Sequence, residues 1–451
     1  MKELKRIFSN RRLVLGLLLI FLINGILFYN AQTERDFGLD LSGPSTGTIS
    51  VGFGGAFEGG QAKADGAESY AVYQKWLAKY KAMPLPEAAE TLERERTRLN
   101  NIFEAAELLE TDGGMFGQEA LQKYREEQPE LIRQLENGAV NLDQARLDYV
   151  AADNLLRQIS YLSGYGDYLA SIQANKESML SLSIFNDPNS FSSRNIIKTA
   201  EEFGGLEGVS LELGADGAVD AFMGFAITDY LLLAVLALIC ISFLEERKKG
   251  LWSVVHASPH GRLRLALRRA GILFGISAVS VLLFYGTNLL LGFSLYGGLE
   301  DLGRAAQSVE VLGKLPLPCT VGQFLTQYML LRIAVACFVA LLLWLLLTAI
   351  NNVKYTIIVA AGVLVAEYSL YTFLPVQSFL NAFKYFNIFT YISLSDFYTN
   401  YLNIDLFGFP LGIRSISQLA MLPLGILLTT VCIAIHCHKK PAAGWGGSPT
   451  G

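Results

Sequence analysis

Six apolar runs, at 13–29, 225–244, 271–293, 327–350, 355–374 and 416–436, leave a chain like this few folds to choose from. Each is close to the ~20 residues that a helix needs to cross a bilayer. Inside lipid the backbone must bond to itself, which makes each run a helix. The chain is 52% hydrophobic and only 17% charged, where a soluble globular chain carries nearer ~25% charged residues. The expected fold class is therefore an all-α polytopic membrane protein.

Charge is distributed unevenly. Residues 31–222 hold 31 Asp/Glu against 16 Lys/Arg, and the remainder holds 10 against 20. An acidic soluble portion is fused to a basic membrane portion. This excludes a nucleic-acid binder, whose soluble face would be basic. None of the five cysteines lies in 31–222, so that portion rests on its own core rather than on disulfides.

The positive-inside rule orients the spans. Lys2, Lys5, Arg6, Arg11 and Arg12 precede the first run, and Lys439 and Lys440 come after the last. Both termini are expected in the cytoplasm of a bacterial cell membrane, with 31–222 outside. The rival reading of 13–29 is a cleaved leader, but the run exceeds the usual ~7–15 residues and no A-x-A site comes after it. The expected domains are 1–30 (cytoplasmic end and first span), 31–222 (outer helical domain), 223–438 (five further spans) and 439–451 (a disordered tail).

Within 31–222, a Gly/Ser/Thr-rich opening reads as loop with a short strand. From Asp65 onward the pattern is helical; Leu147, Val150, Ala151, Leu155, Ile159 and Leu162 make one apolar face. Pro84 with Pro86, and then Asp112-Gly113-Gly114, are expected to break helices. Three to five antiparallel, coiled-coil-like helices result, ended by Gly164-Tyr165-Gly166. Residues 375–415, rich in Phe and Tyr, read as an interfacial aromatic belt.

Catalytic signatures are missing from the sequence. It contains no G-x-x-x-x-G-K-[ST], H-E-x-x-H or G-x-S-x-G. His436-Cys437-His438 carries ligand types for a soft metal, but so short a cluster reads as a helix terminus. No enzyme activity, metal or cofactor is expected of this chain.

The sharpest local signal is the stretch 245–270, EERKKGLWSVVHASPHGRLRLALRRA, with seven Lys/Arg. Read alone, it is either a solvated cytosolic loop holding anionic lipid or an amphipathic docking segment. In the second reading Leu251, Trp252, Val254 and Val255 fill a groove, and a turn at Pro259 leads into a basic helix at 262–269. The order resembles the cytosolic loop of type-two ABC exporter permeases. Glu245, Glu246, Gly250, Pro259 and Arg262 match that family's pattern of acidic residues, glycine, proline and a basic residue. The likeness covers the membrane half, and the inserted domain of roughly 190 residues departs from it.

This resemblance implies a permease subunit, paired with a second copy or a related chain, in the lipid bilayer. It implies a separate ABC ATPase subunit that carries the ATP and Mg. The implied activity is export of an amphipathic peptide, drug or lipid-like substrate. The alternative is an ABC-linked relay, scaffold or receptor that moves or presents the outer domain without transporting solute.

Arg332 and Glu367 lie well inside apolar runs, and Asp229 near the end of one. The similar depth of Arg332 and Glu367 predicts an ion pair, because a lone charge in hydrocarbon is costly. It would serve either as a polar patch by the translocation path or as a staple between helices. Asp229 reads as interfacial, and Gly271, Gly275 and Ser277 as a site of close helix approach, serving either a dimer or packing within the chain.

Overall fold

The computed structural model describes residues 9–33, 66–110, 114–243, 261–350, 352–374 and 395–438. These are helical almost throughout. Helix α1 (Arg11–Thr33) enters from the N-terminus. A polar helical domain comes next, made of α2 (Gly66–Tyr80), α3 (Leu85–Glu110), α4 (Gly114–Glu127), α5 (Pro129–Glu136), α6 (Leu142–Leu180) and α7 (Phe191–Gly204). The short α8 (Gly217–Gly224) and α9 (Ile227–Ser242) lead into α10 (Gly261–Tyr296), α11 (Val321–Ile350) and α12 (Val353–Phe373). The short α13 (Asp396–Thr399) precedes a hairpin, β1 (Asn403–Leu406) and β2 (Phe409–Gly412), and α14 (Ile413–His438) completes the described chain.

Helices α1, α10 and α11 are each long and apolar enough to cross a membrane, and α8 with α9, bent by 49°, makes a fourth such unit if taken as one span. The protein is a helical membrane protein.

In the polar domain, α6 is the spine. Asn141 starts it by accepting the Gln144 amide on its side chain, which satisfies one of the free donors of the first turn. The helix runs 39 residues and passes straight through Gly164-Tyr165-Gly166, where the sequence predicted an end. Two helix-interior glycines cost about 1 kcal/mol each. Packing outweighs that cost, because Tyr165 and Leu169 bury against Phe203 and Leu206. Leu92 of α3 and Leu77 of α2 pack against Leu155, Ile159 and Leu162 of α6, the apolar face expected from spacing. The break at Pro84 and Pro86 lies where expected, between α2 and α3. The loop-and-strand expectation for the Gly/Ser/Thr-rich opening lies outside the described residues.

The apolar layer has one continuous core, from Phe222 and Met223 of α8 through Leu236, Phe284, Tyr328 and Trp344 to Cys432 of α14. Phe222 and Met223 belong to this core. Close helix approach occurs at Gly292, whose missing side chain lets α10 lie on the Ala218 backbone of α8. At Gly271 and Gly275, expected to serve this role, no atom of the described residues lies within 4 Å of where a side chain would sit. The α10–α11 connection is a set of short 3-10 turns, Leu299–Gly303, Ala306–Ser308 and Glu310–Leu312. It folds back onto the polar domain.

Candidate functional site

Two polar centres stand out, one inside the apolar layer and one where that layer meets the polar domain.

The inner centre is an ion pair. Arg332 of α11 places Nη1 2.7 Å from Asp229 Oδ1, with both side chains 5% exposed. Its Nη2 donates to Asp229 Oδ2 at 3.4 Å and to the Tyr328 hydroxyl at 2.6 Å. The Tyr285 hydroxyl of α10 donates to Asp229 Oδ1. The guanidinium lies 5.0 Å from the ring centres of both Tyr285 and Tyr328. Charge, hydrogen bonds and ring faces together compensate a cation that hydrocarbon would reject.

A cavity of about 20 Å³ adjoins this pair, lined by Asp229, Tyr285 and Arg332 on one side and Leu232, Leu236 and Val339 on the other. That is room for about one water.

The carboxylate that meets Arg332 is thus Asp229, not the expected Glu367. Glu367 stands half-buried on α12. Asp229, expected at the interface, is 6% exposed. The reason is the bend between α8 and α9, which starts the descent earlier than hydropathy indicated and turns Asp229 in toward α10 and α11.

Beside this pair, three helices share a closed ring of hydrogen bonds. Asn24 Nδ2 of α1 donates to Asn288 Oδ1 at 2.8 Å. Asn288 Nδ2 of α10 donates to the Thr228 hydroxyl at 2.7 Å, and that hydroxyl donates to Asn24 Oδ1 at 2.7 Å. Such rings of small polar groups hold helices together in lipid. Sequence reasoning passed over them, although Asn24 and Asn288 each interrupt an apolar run.

The second centre is a joint. Arg304, in the α10–α11 connection, is 3% exposed on its side chain and pairs with Asp216 at the start of α8. It also donates to the Ala215 carbonyl at 3.1 Å and the Glu212 carbonyl at 3.4 Å. Gln158 of α6 donates to Asp216 Oδ2 at 2.7 Å and to the Gly214 carbonyl at 2.8 Å. The Tyr73 hydroxyl of α2 donates to Gln158 Oε1 at 3.0 Å.

Asp301 accepts the Ala215 amide at 2.8 Å and pairs with Lys81, just beyond α2. Tyr161 and Tyr165 of α6 donate to the Gln307 and Gly313 carbonyls at 2.7 and 2.9 Å. Segment 211–216 is therefore held between α6 on one side and the α10–α11 connection on the other. Burial pushes Asp216 up to about 6, opposed by the Arg304 and Gln158 contacts. Burial likewise raises Tyr161 and Tyr165, keeping both hydroxyls as donors. No sequence signal marks this joint, since its bonded partners lie up to 220 residues apart.

Of the predicted docking stretch, Glu245, Glu246, Gly250, Leu251, Trp252 and Pro259 lie outside the described residues. Arg262 opens α10, and the basic helix expected at 262–269 is the first part of that 36-residue helix. Arg262 Nη1 donates to the Cys437 carbonyl at 3.2 Å, which brings the basic end of α10 to the last turn of α14. His436 in that turn is fully buried, its ring 6.0 Å from Trp344.

No protein-family model, curated protein or solved structure matches this chain. The centres are read from their own chemistry.

Proposed function

We propose that this chain is the membrane subunit of an ABC-type assembly, driven by a separate ATPase that docks on the basic segment 245–270. In this reading six spans cross the cell membrane with both ends in the cytoplasm, and movement passes through α10 and α11 to the polar domain outside. The observation that carries the relay is the joint. The connection between α10 and α11 is bonded to α6 directly by Tyr161 and Tyr165, and indirectly through segment 211–216, which Arg304 and Gln158 hold from either side. A shift of those two helices must therefore displace the polar domain as a unit. The 36-residue α10 favours the same reading, because it joins the basic segment to the joint without a break.

Solute export is the second reading, and it rests on the resemblance of the 245–270 stretch to exporter loops, since the cavity beside Asp229 and Arg332 holds only about one water.

The test is affinity purification of the full chain in mild detergent, with mass spectrometry of the co-purifying proteins. A stoichiometric P-loop ATPase, lost when Glu245 and Glu246 are reversed in charge, is the expected result. A chain that emerges without an ATPase, under conditions preserving other transporter complexes, overturns the proposal. Relay and export separate in the Arg304→Met assembly. Relay predicts that ATP still turns over while nucleotide-dependent exchange changes in α6 vanish. Export predicts that transport survives.

A further inference from the structure

We propose that the β1–β2 hairpin is an interfacial anchor, seating its aromatic tip in the lipid headgroup layer. The register Asn403↔Gly412 to Leu406↔Phe409 leaves Phe407 and Gly408 as the turn. Phe407 takes φ +55°, a left-handed conformation that a bulky side chain adopts only against strain. Tight hairpins of this kind favour Asn or Gly at such a position. Yet Phe407 is 94% exposed and Phe409 is 58% exposed. A strained turn that presents an aromatic ring to its surroundings is unexplained by packing among the described residues.

Neighbouring groups support a lipid occupant. Arg194, at the start of α7, holds the tip by donating to the Gly408 carbonyl at 3.2 Å, and its guanidinium lies 4.5 Å from the Phe409 ring centre. The same arginine donates to the Pro188 carbonyl at 3.3 Å, which sets the α6–α7 connection beside the hairpin. That connection exposes Leu182 at 50% and Ile184 at 74%. Aromatic rings flanked by an arginine suit the membrane–water boundary, where rings enter and the cation stays near phosphate.

Position along the chain sets the depth. Strand β2 ends at Gly412 and α14 begins at Ile413. On the proposed six-span reading, in which the apolar run 416–436 crosses the membrane, only three residues, ~5 Å of helix, separate the start of α14 from that run. The headgroup layer is about 5–8 Å thick on each side, so the base of the hairpin falls within it.

The experiment places tryptophan at the tip, Phe407→Trp, in the full chain reconstituted in phosphatidylcholine nanodiscs. The signal is the emission gained over the parent chain. The expected result is a blue-shifted emission, strongly quenched by lipids brominated near the ester end of the acyl chain and resistant to iodide. Quenching by iodide with none by bromolipid places the tip in water and overturns the proposal. Protection from both quenchers marks a protein contact, such as a second copy, and overturns it equally. Should Phe407→Trp fail to fold, Ile184→Trp carries the same expectation and the same two failures.

Discussion

The joint at Arg304–Asp216 and the pair at Arg332–Asp229, buried in the apolar layer, are built from the same chemistry, a guanidinium on a carboxylate, in different settings. Arg332 answers to side chains: Asp229, Tyr328 and the ring faces of Tyr285 and Tyr328. Arg304 answers to side chain and backbone together, taking the carbonyls of Glu212 and Ala215 as well as Asp216. A pair held by side chains is replaceable as a unit. A pair that also satisfies backbone carbonyls is not, because removing both partners still strands the carbonyls. The inner pair is an interchangeable fastening, and the joint is part of the chain's path.

The strongest way to break this comparison is to remove one member of each pair. Arg304→Met and Arg332→Met each leave a buried carboxylate, at a cost of about 3–5 kcal/mol. Thermal unfolding in detergent should show a large loss for both. The combined variants then part company. Asp229→Leu with Arg332→Met, combined with Tyr285→Phe and Tyr328→Phe to remove the hydroxyls they bond, should recover most of that loss, whereas Asp216→Leu with Arg304→Met should not, since backbone carbonyls cannot be removed. Equal recovery would remove the distinction.

A smaller effect tests the tyrosine contacts. Tyr161→Phe deletes the hydrogen bond to the Gln307 carbonyl, an expected loss of about 0.5–1.5 kcal/mol. Exchange at the amides around Gln307 should quicken while the membrane helices are unchanged.

The joint should also report pH. The Asp216 carboxyl is raised to about 6 when folded, against ~3.9 when unfolded. A raised acid favours the folded state below its unfolded value and loses that contribution as pH climbs through its folded value. Stability held by Asp216 should therefore fall between about pH 4 and 6 and stay level above. Asp216→Asn, though less stable overall, should lack that component when melting temperature is compared across the window.

Smallest of all, Gly164→Ala and Gly166→Ala in α6 should each stabilise by about 0.5–1 kcal/mol, since a methyl group meets nothing within 4 Å at either site. A loss of stability there would show that α6 needs its glycines, and that the sequence-based break was nearer the truth.

That break illustrates how much of the fold was legible. Apolar runs of fixed length and the Pro84/Pro86 break register local physics, and the helices fall where these place them. Gly164 and Gly166 register only local cost, while the continuity of α6 comes from Tyr165 and Leu169 meeting Phe203, which no window of sequence contains. The hairpin was hidden for a related reason. Residues 403–412 continue the Phe-bearing belt before them, and it is the pairing of Asn403 with Gly412 that sets them apart. In the inner site, Arg332 was visible as a charge in an apolar run. Its partner was not, because Asp229 sits at the edge of its own run and is buried by a bend that hydropathy does not encode. Nothing in the joint was visible, since Gln158, Asp216 and Arg304 are unremarkable polar residues until the fold brings them together.

The length of α10 has a mechanical meaning. Thirty-six residues span ~54 Å, well beyond the ~30 Å of hydrocarbon. Such a rod pivots where the bilayer grips it, and its two ends travel in opposite directions. A tilt of ~10° would swing one end against the other by ~9 Å. Arg262 and the α10–α11 connection are the two handles of that rod, so a push of a few ångströms on the first would reach the second as a displacement of similar size and opposite sense.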